Sequence, residues 1–408
     1  MTINNKTQST LVSDTMSVRV TTIKGIPIRL HFTLIVVFFL IMWTLAVSFM
    51  PQRIPPNLLT EAEYWIMGAI GAAILFISVL LHELAHSLVA LRYGLKVRQI
   101  ILFIFGGVSD IEEEKEETTK DFRKEFQIAV VGPLASFVIS AIFATIWWLI
   151  LQGYPIEAGE QVPLSVILIA EGILFYGALA NLLLGFFNLI PAFPLDGGRI
   201  LRAALVRWKR DDEQATKIAV RIGIGISYGF MGFGFLSVLS GSFTGGIWLV
   251  LIGWFLNSGA QSYLMQYELS SVLSKVRIRD IMNTNIISIR EGTKTDEALR
   301  TYFSQYMKSA FPILSTKGGL IGMITLKQII DVPEYKRHQV NVEEIMTPKN
   351  DLIIMNSERK ADEALMQMSR RRLGKVFVHD DNGKLVGLIS KSDIMNVANE
   401  RKEYAEAI

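Results

Sequence analysis

The stretch Leu80-Leu81-His82-Glu83-Leu84-Ala85-His86-Ser87-Leu88 lies in the apolar run 64–90, which is otherwise uncharged. It contains the pattern H-E-x-x-H. On a helix, residues four apart share one face about one turn from each other, so His82 and His86 can aim a ring nitrogen at the same metal ion. Glu83 projects beside them, placed to take a proton from a water that the metal activates. The chain has only five histidines in 408 residues, and two of them flank a glutamate at membrane depth. Ionisable groups there are costly and mark function.

Two histidines leave zinc short of a protein ligand, because catalytic sites commonly supply three and keep the fourth position open. The third candidate lies in Phe187-Asn188-Leu189-Ile190-Pro191-Ala192-Phe193-Pro194-Leu195-Asp196-Gly197-Gly198-Arg199. Pro191 and Pro194 break the helix, and Gly197-Gly198 permit a tight backbone. Asp196 would then sit at the membrane edge, level with a helix that enters from the same side. Taken alone, Pro-Leu-Asp-Gly-Gly is an ordinary turn; beside the histidine pair, Asp196 becomes the ligand candidate. The chain has no cysteine, which excludes disulfide scaffolds, cysteine zinc sites, iron–sulfur clusters and thiol nucleophiles.

Around these motifs, apolar runs at about 33–50, 64–90, 126–151, 164–187, 218–240 and 246–266 each approach the roughly 20 residues a helix needs to cross a bilayer. Six spans are therefore expected. With the N-terminus inside, the inner segments 1–32, 91–125 and 188–217 carry 17 Lys and Arg, whereas the outer loops carry one, Arg53. That asymmetry puts both termini in the cytoplasm of a multi-pass cell-membrane protein. Residues 272–408 hold 22 of the 41 Lys and Arg and 18 of the 38 Asp and Glu, so the last third reads as soluble. A net charge of +3 spread over both signs gives no argument for a nucleic-acid partner.

On His82-Glu83-Leu84-Ala85-His86, on Asn188 to Gly198, and on Ala129-Val130-Val131-Gly132-Pro133-Leu134-Ala135-Ser136 between them, the chain resembles the site-2 protease family of intramembrane zinc metalloproteases over roughly residues 20–265. The resemblance implies Zn2+ held by His82, His86 and Asp196, with Glu83 as general base. It also implies that Asn188 helps hold substrate or the developing oxyanion, and that a transmembrane protein is cleaved in or near its membrane segment. Val97 to Ser109, too short to span, is a strand or re-entrant hairpin candidate. In the family such a segment borders the active site and takes up substrate as an extended strand. Gly132-Pro133 is read as opening the third span. His31 is read as an interfacial hydrogen-bonding group, Glu171 as a helix–helix hydrogen-bonding or protonated group, and Asp110 to Glu125 as a solvated loop.

The soluble part repeats itself. Asp280-Ile281-Met282 returns as Glu344-Ile345-Met346, Asp296-Glu297-Ala298-Leu299 as Asp362-Glu363-Ala364-Leu365, and Leu320-Ile321-Gly322 as Leu385-Val386-Gly387, at offsets of about 65 residues. Each unit reads as a short lead, a helix, two β runs joined by a glycine turn, and a final helix. The units resemble a pair of cystathionine-β-synthase (CBS) domains. That implies a regulatory module, with Ser390 and Asp393 as candidate adenine-nucleotide ligands and a homodimer formed through the pair. In the first unit Thr325 is present, but Gln328 stands where the acidic residue is expected.

The resulting expectation is a polytopic α-helical membrane protein with a small β element near the active site and a soluble α/β CBS pair. Its parts are an N-terminal segment 1–32, a membrane domain 33–266, a linker 267–276 and CBS units 277–335 and 341–400. The expected activity is zinc-dependent endopeptidase action on membrane proteins, with the bilayer as a partner. The alternative is a CBS-gated transporter or channel in which His82, Glu83 and His86 line a divalent-cation path.

Overall fold

The computed structural model describes residues 17–406 apart from 105, 113–121, 154–162, 372 and 382. The chain divides into two units, Met1–Leu264 and Met265–Ile408.

The first unit is built on helices α1 (Thr33–Arg53), α2 (Glu61–Arg92), α3 (Phe122–Gly153), α4 (Leu164–Asn188), α5 (Asp196–Lys209), α6 (Asp212–Leu239) and the part of α7 (Phe243–Leu273) up to Leu264. Among the described residues, α1, α2, α3, α4 and α6 are long and apolar enough to cross a membrane. The sixth expected run, 246–266, is helical within α7, but α7 is not one of these five, and its later turns carry Asn257, Gln261, Gln266 and Glu268.

α2 is the most enclosed of the five. It starts in a capping box: the Thr60 hydroxyl accepts from the Glu63 N–H, and the Thr60 N–H donates to the Glu63 carboxylate at 2.7 Å. Glycine lets α1 approach closely. A Cβ on Gly68 would stand 2.4 Å from the Met42 carbonyl oxygen, and one on Gly71 2.7 Å from Leu45. α3 begins at Phe122, so Pro133 lies inside the helix rather than at the opening of a span.

A four-stranded sheet lies beside α2. Its strands are β1 (Ser17–Ile23), β2 (Ile26–His31), β3 (Lys96–Phe103) and β4 (Gly106–Glu112), in the order β1-β2-β3-β4. β2 and β3 are parallel and the outer pairs antiparallel. Alternate residues Ile26, Ile28, Ile100 and Leu102 are buried and pack against Phe76, Val79, Leu80 and Leu84 of α2. The hairpin expected at 97–109 is thus present as β3 and β4. Residues 17–31, read only as an N-terminal segment, supply the other two strands. Of the segment read as a solvated loop, Asp110 belongs to β4 and Glu125 to α3, where it pairs with Arg202; residues 113–121 fall outside the described set.

Glu171 of α4 is engaged rather than free. Trp147 Nε1 donates to its carboxylate at 3.0 Å, and Arg53 pairs with the same oxygen while lying 4.0 Å from the Phe175 ring centroid. His31 bonds to the Thr33 hydroxyl through Nδ1 at 2.9 Å.

The second unit contains two small sheets, β5 (Ile289–Arg290), β6 (Ala310–Leu314), β7 (Leu320–Thr325) and β8 (Thr347–Pro348) in one, β9 (Ile354–Asn356), β10 (Lys375–His379) and β11 (Leu385–Ser390) in the other. The glycine turns within the repeats fall at Gly318 and Gly383, both at positive φ. The lead of each repeat joins the other repeat. Asn283 bridges to Leu388 and Ile278 enters the second core, while β8 pairs with β7 and Ile345 packs on the first core.

Candidate metal centre

Two elements bring three donor atoms together. His82 and His86 project from consecutive turns of α2, and Asp196 opens α5. Asp196 Oδ2 lies 3.0 Å from His82 Nε2 and 3.0 Å from His86 Nε2, and the two Nε2 atoms are 3.2 Å apart. All three residues are buried.

The far sides of the rings explain why these atoms converge. His86 Nδ1 lies 2.5 Å from the Ile128 carbonyl oxygen, which can only accept, so Nδ1 carries the hydrogen. In the neutral ring Nε2 then presents a lone pair, aimed at a carboxylate oxygen and a second imidazole nitrogen. Lone pairs packed this closely call for a cation between them. His82 Nδ1 is held by the fully buried Ser136 hydroxyl at 2.9 Å. Outer hydrogen bonds of this kind fix ring orientation in metal sites. The donor separations also approach the roughly 3.3 Å that tetrahedral bonds of about 2.0–2.1 Å would give. Donor chemistry and spacing both fit zinc.

Loop and helix packing set the remaining parts. A Cβ on Gly197 would stand 2.2 Å from the Ile190 carbonyl oxygen, so the turn before α5 closes only with glycine there. A Cβ on Gly132 would lie 2.2 Å from His86 Nε2 and 2.7 Å from His82 Nε2; its bare backbone is what lets α3 reach the imidazoles. Glu83 is half-buried on α2, and its carboxylate accepts from the Ser109 hydroxyl of β4 at 2.8 Å.

A sequence profile of peptidase family M50 matches residues 70–230, and one of the CBS domain matches 278–335 and 342–400. Rip3 of Mycobacterium tuberculosis, named as a zinc metalloprotease, is 30% identical over 91% of this chain and 90% of its own length. A zinc metalloprotease of Methanocaldococcus jannaschii is 31% identical over 93% of this chain and 95% of that protein. The chain belongs to peptidase family M50. Among solved structures, the site-2 protease from Methanocaldococcus jannaschii is 35% identical, with a TM-score of 0.40, over 61% of this chain and 95% of that one.

This M50 metalloprotease gathers His82, His86 and Asp196 into one cluster and sets Glu83 beside it on the same helix. Asn188 stands apart in its contacts: at the end of α4, its amide donates to the Leu184 carbonyl of its own helix at 3.0 Å. In the CBS unit, Ser390 and Asp393 cap the last helix. The Ser390 hydroxyl and N–H donate to the Asp393 carboxylate at 2.7 and 2.8 Å. Thr325 and Gln328 build the same cap in the first repeat. Near Asp393, burial and the neighbouring Lys308 push the Lys375 ammonium below its ordinary range, with Asp393 opposing the shift. Sequence reading assigned no role to Ile128, Ser136, Ser109, Lys308 or Lys375. Gly132-Pro133 within an apolar run was the one available signal for the α3 contacts.

Proposed function

We propose that this M50 metalloprotease is a zinc-dependent endopeptidase that cleaves membrane proteins in or near their transmembrane segments. The observation that carries the reading is the convergence of His82 Nε2, His86 Nε2 and Asp196 Oδ2 inside a bundle of apolar helices, with a carboxylate on the adjacent residue of the same helix. A zinc ion held by His82, His86 and Asp196 would polarise the scissile carbonyl and acidify the attacking water. Glu83 accepts the proton of that water and passes it to the leaving amine. Asn188 serves the substrate or the oxyanion by releasing the Leu184 carbonyl. A cation path would need ligands strung along a route, whereas these donors meet at one point.

The distribution of Lys and Arg supports a multi-pass cell-membrane protein with both termini in the cytoplasm. There the CBS pair modulates cleavage, with Ser390 and Asp393 taking the phosphate and ribose of an adenine nucleotide. Lys308 and Lys375 near Asp393 favour an anionic ligand at that place. The pair also supplies a homodimer contact. The deciding experiment is Glu83→Gln in liposomes holding a single-span substrate. The variant should keep its zinc and lose cleavage; cleavage at the wild-type rate would rule the reading out.

A further inference from the structure

Glu83 is held from outside its own helix, and by a strand. Along β4, Gly107 and Ser109 are alternate residues and so share one face. A Cβ on Gly107 would stand 2.4 Å from Glu83 Cγ, and the Ser109 hydroxyl reaches Glu83 Oε2 at 2.8 Å. Behind Ser109 lies Ser87, fully buried and one helical turn beyond Glu83, whose hydroxyl donates to Ser109 Oγ at 3.2 Å. The Ser109 hydroxyl thus donates to the Glu83 carboxylate, and its oxygen in turn accepts from Ser87. This directed chain fixes one oxygen of Glu83 and leaves the other for chemistry. β4 is also the last strand of its sheet in the order β1-β2-β3-β4.

We propose that Ser109 is a positioning residue for Glu83, through which the placement of the edge strand β4 sets the alignment of the general base. The proposal rests on the base role given to Glu83 above. A base that is misaligned but present slows turnover of bound substrate without weakening its capture. General-base catalysis is worth about 10²–10⁴-fold, so losing its orientation should lower kcat by roughly ten- to a hundredfold.

The test uses the full-length protein in phosphatidylcholine–phosphatidylglycerol liposomes with a fluorescent single-span test peptide. Ser109→Ala should lower kcat in that range with KM and zinc content unchanged. Ser109→Thr, which keeps a hydroxyl on the same face, should restore turnover. Zinc-stripped wild type and Ser109→Ala should bind the peptide with equal affinity. An unchanged kcat, a rise in KM matching the fall in kcat, a tenfold loss of peptide affinity in the stripped protein, or no rescue by threonine would each overturn the proposal. Glu83→Gln separates the two ideas. If it is inactive while Ser109→Ala is fully active, only the positioning role fails; if Glu83→Gln is itself active, the base assignment fails.

Discussion

Replacing Arg202 by methionine should destabilise the membrane unit by about 4 kcal/mol, and the source of that loss can be assigned to one partner. Arg202 is 1% exposed and lies on α5, six residues beyond Asp196. Its guanidinium pairs with Glu125 of α3 and Asp212 of α6, and its Nε donates to the Thr216 hydroxyl at 2.8 Å. Methionine fills much of the space of the stem, so the loss falls mainly on the stranded charges. The Asp212 side chain is 40% exposed and can rehydrate, which limits its share to about 1 kcal/mol or less. Glu125, at 16%, cannot, and an ion pair broken in a buried setting costs roughly 3–5 kcal/mol. Adding Glu125→Gln removes the stranded charge and should recover about 2 kcal/mol. Denaturant unfolding in detergent micelles of the wild type, both single variants and the double variant gives the coupling energy. Additive losses, with coupling below about 0.5 kcal/mol, would refute the argument. The same variant should release zinc faster, because Arg202 ties the helix that begins at Asp196 to the helix whose Ile128 carbonyl holds His86.

Gly132→Ala should reduce zinc content to background by elemental analysis while circular dichroism shows the helices intact, since the added Cβ would sit on the two Nε2 atoms. Ser136→Ala frees His82 Nδ1 and should weaken zinc retention by about 10–100-fold in chelator competition. Asp393→Ala removes the return bonds of a capping box and should cost about 0.5–1.5 kcal/mol in unfolding of the CBS unit. Asp393→Gln copies the first repeat and should keep most of that stability while altering titrations with adenosine triphosphate, followed by calorimetry; a large stability loss from glutamine would contradict the shared-cap reading.

What could be read from the sequence followed the range of the physics involved. His82 and His86 are legible because their relation is local, four residues on one helix. Asp196 is legible because Pro191, Pro194 and the two glycines mark a tight turn. The groups that orient the histidines come from residues about 40 and 50 positions away in the chain, where Gly132-Pro133 marks a close approach without saying which side chains it serves. A buried serine in an apolar helix looks the same whether it faces a ring nitrogen, as Ser136 does, or its neighbour's carbonyl, as Ser140 does with Ala178. The N-terminal strands did carry a signal. Lys24 and Gly25 take positive φ at a tight hairpin turn, followed by the alternating Ile26 and Ile28, but a polar approach to the first span masks that pattern.

The CBS repeats show the opposite limit, where equal sequence gives equal local structure and unequal chemistry. Thr325–Gln328 and Ser390–Asp393 close the same four-residue box, in which one side chain accepts from the backbone and the other returns a bond. An amide oxygen satisfies that box as well as a carboxylate oxygen does, so folding alone sets no requirement for an acid at the fourth position. The charge of Asp393 therefore bears on what lies outside the box, where the partly buried Lys375 and its neighbour Lys308 repel each other and Asp393 offsets part of that repulsion. In the first repeat Gln328 turns its amide instead to the Thr347 hydroxyl, in the lead of the second repeat, at 3.2 Å. One position thus joins the two repeats and its counterpart balances a pair of lysines, a division that follows from exchanging a single carboxylate for an amide.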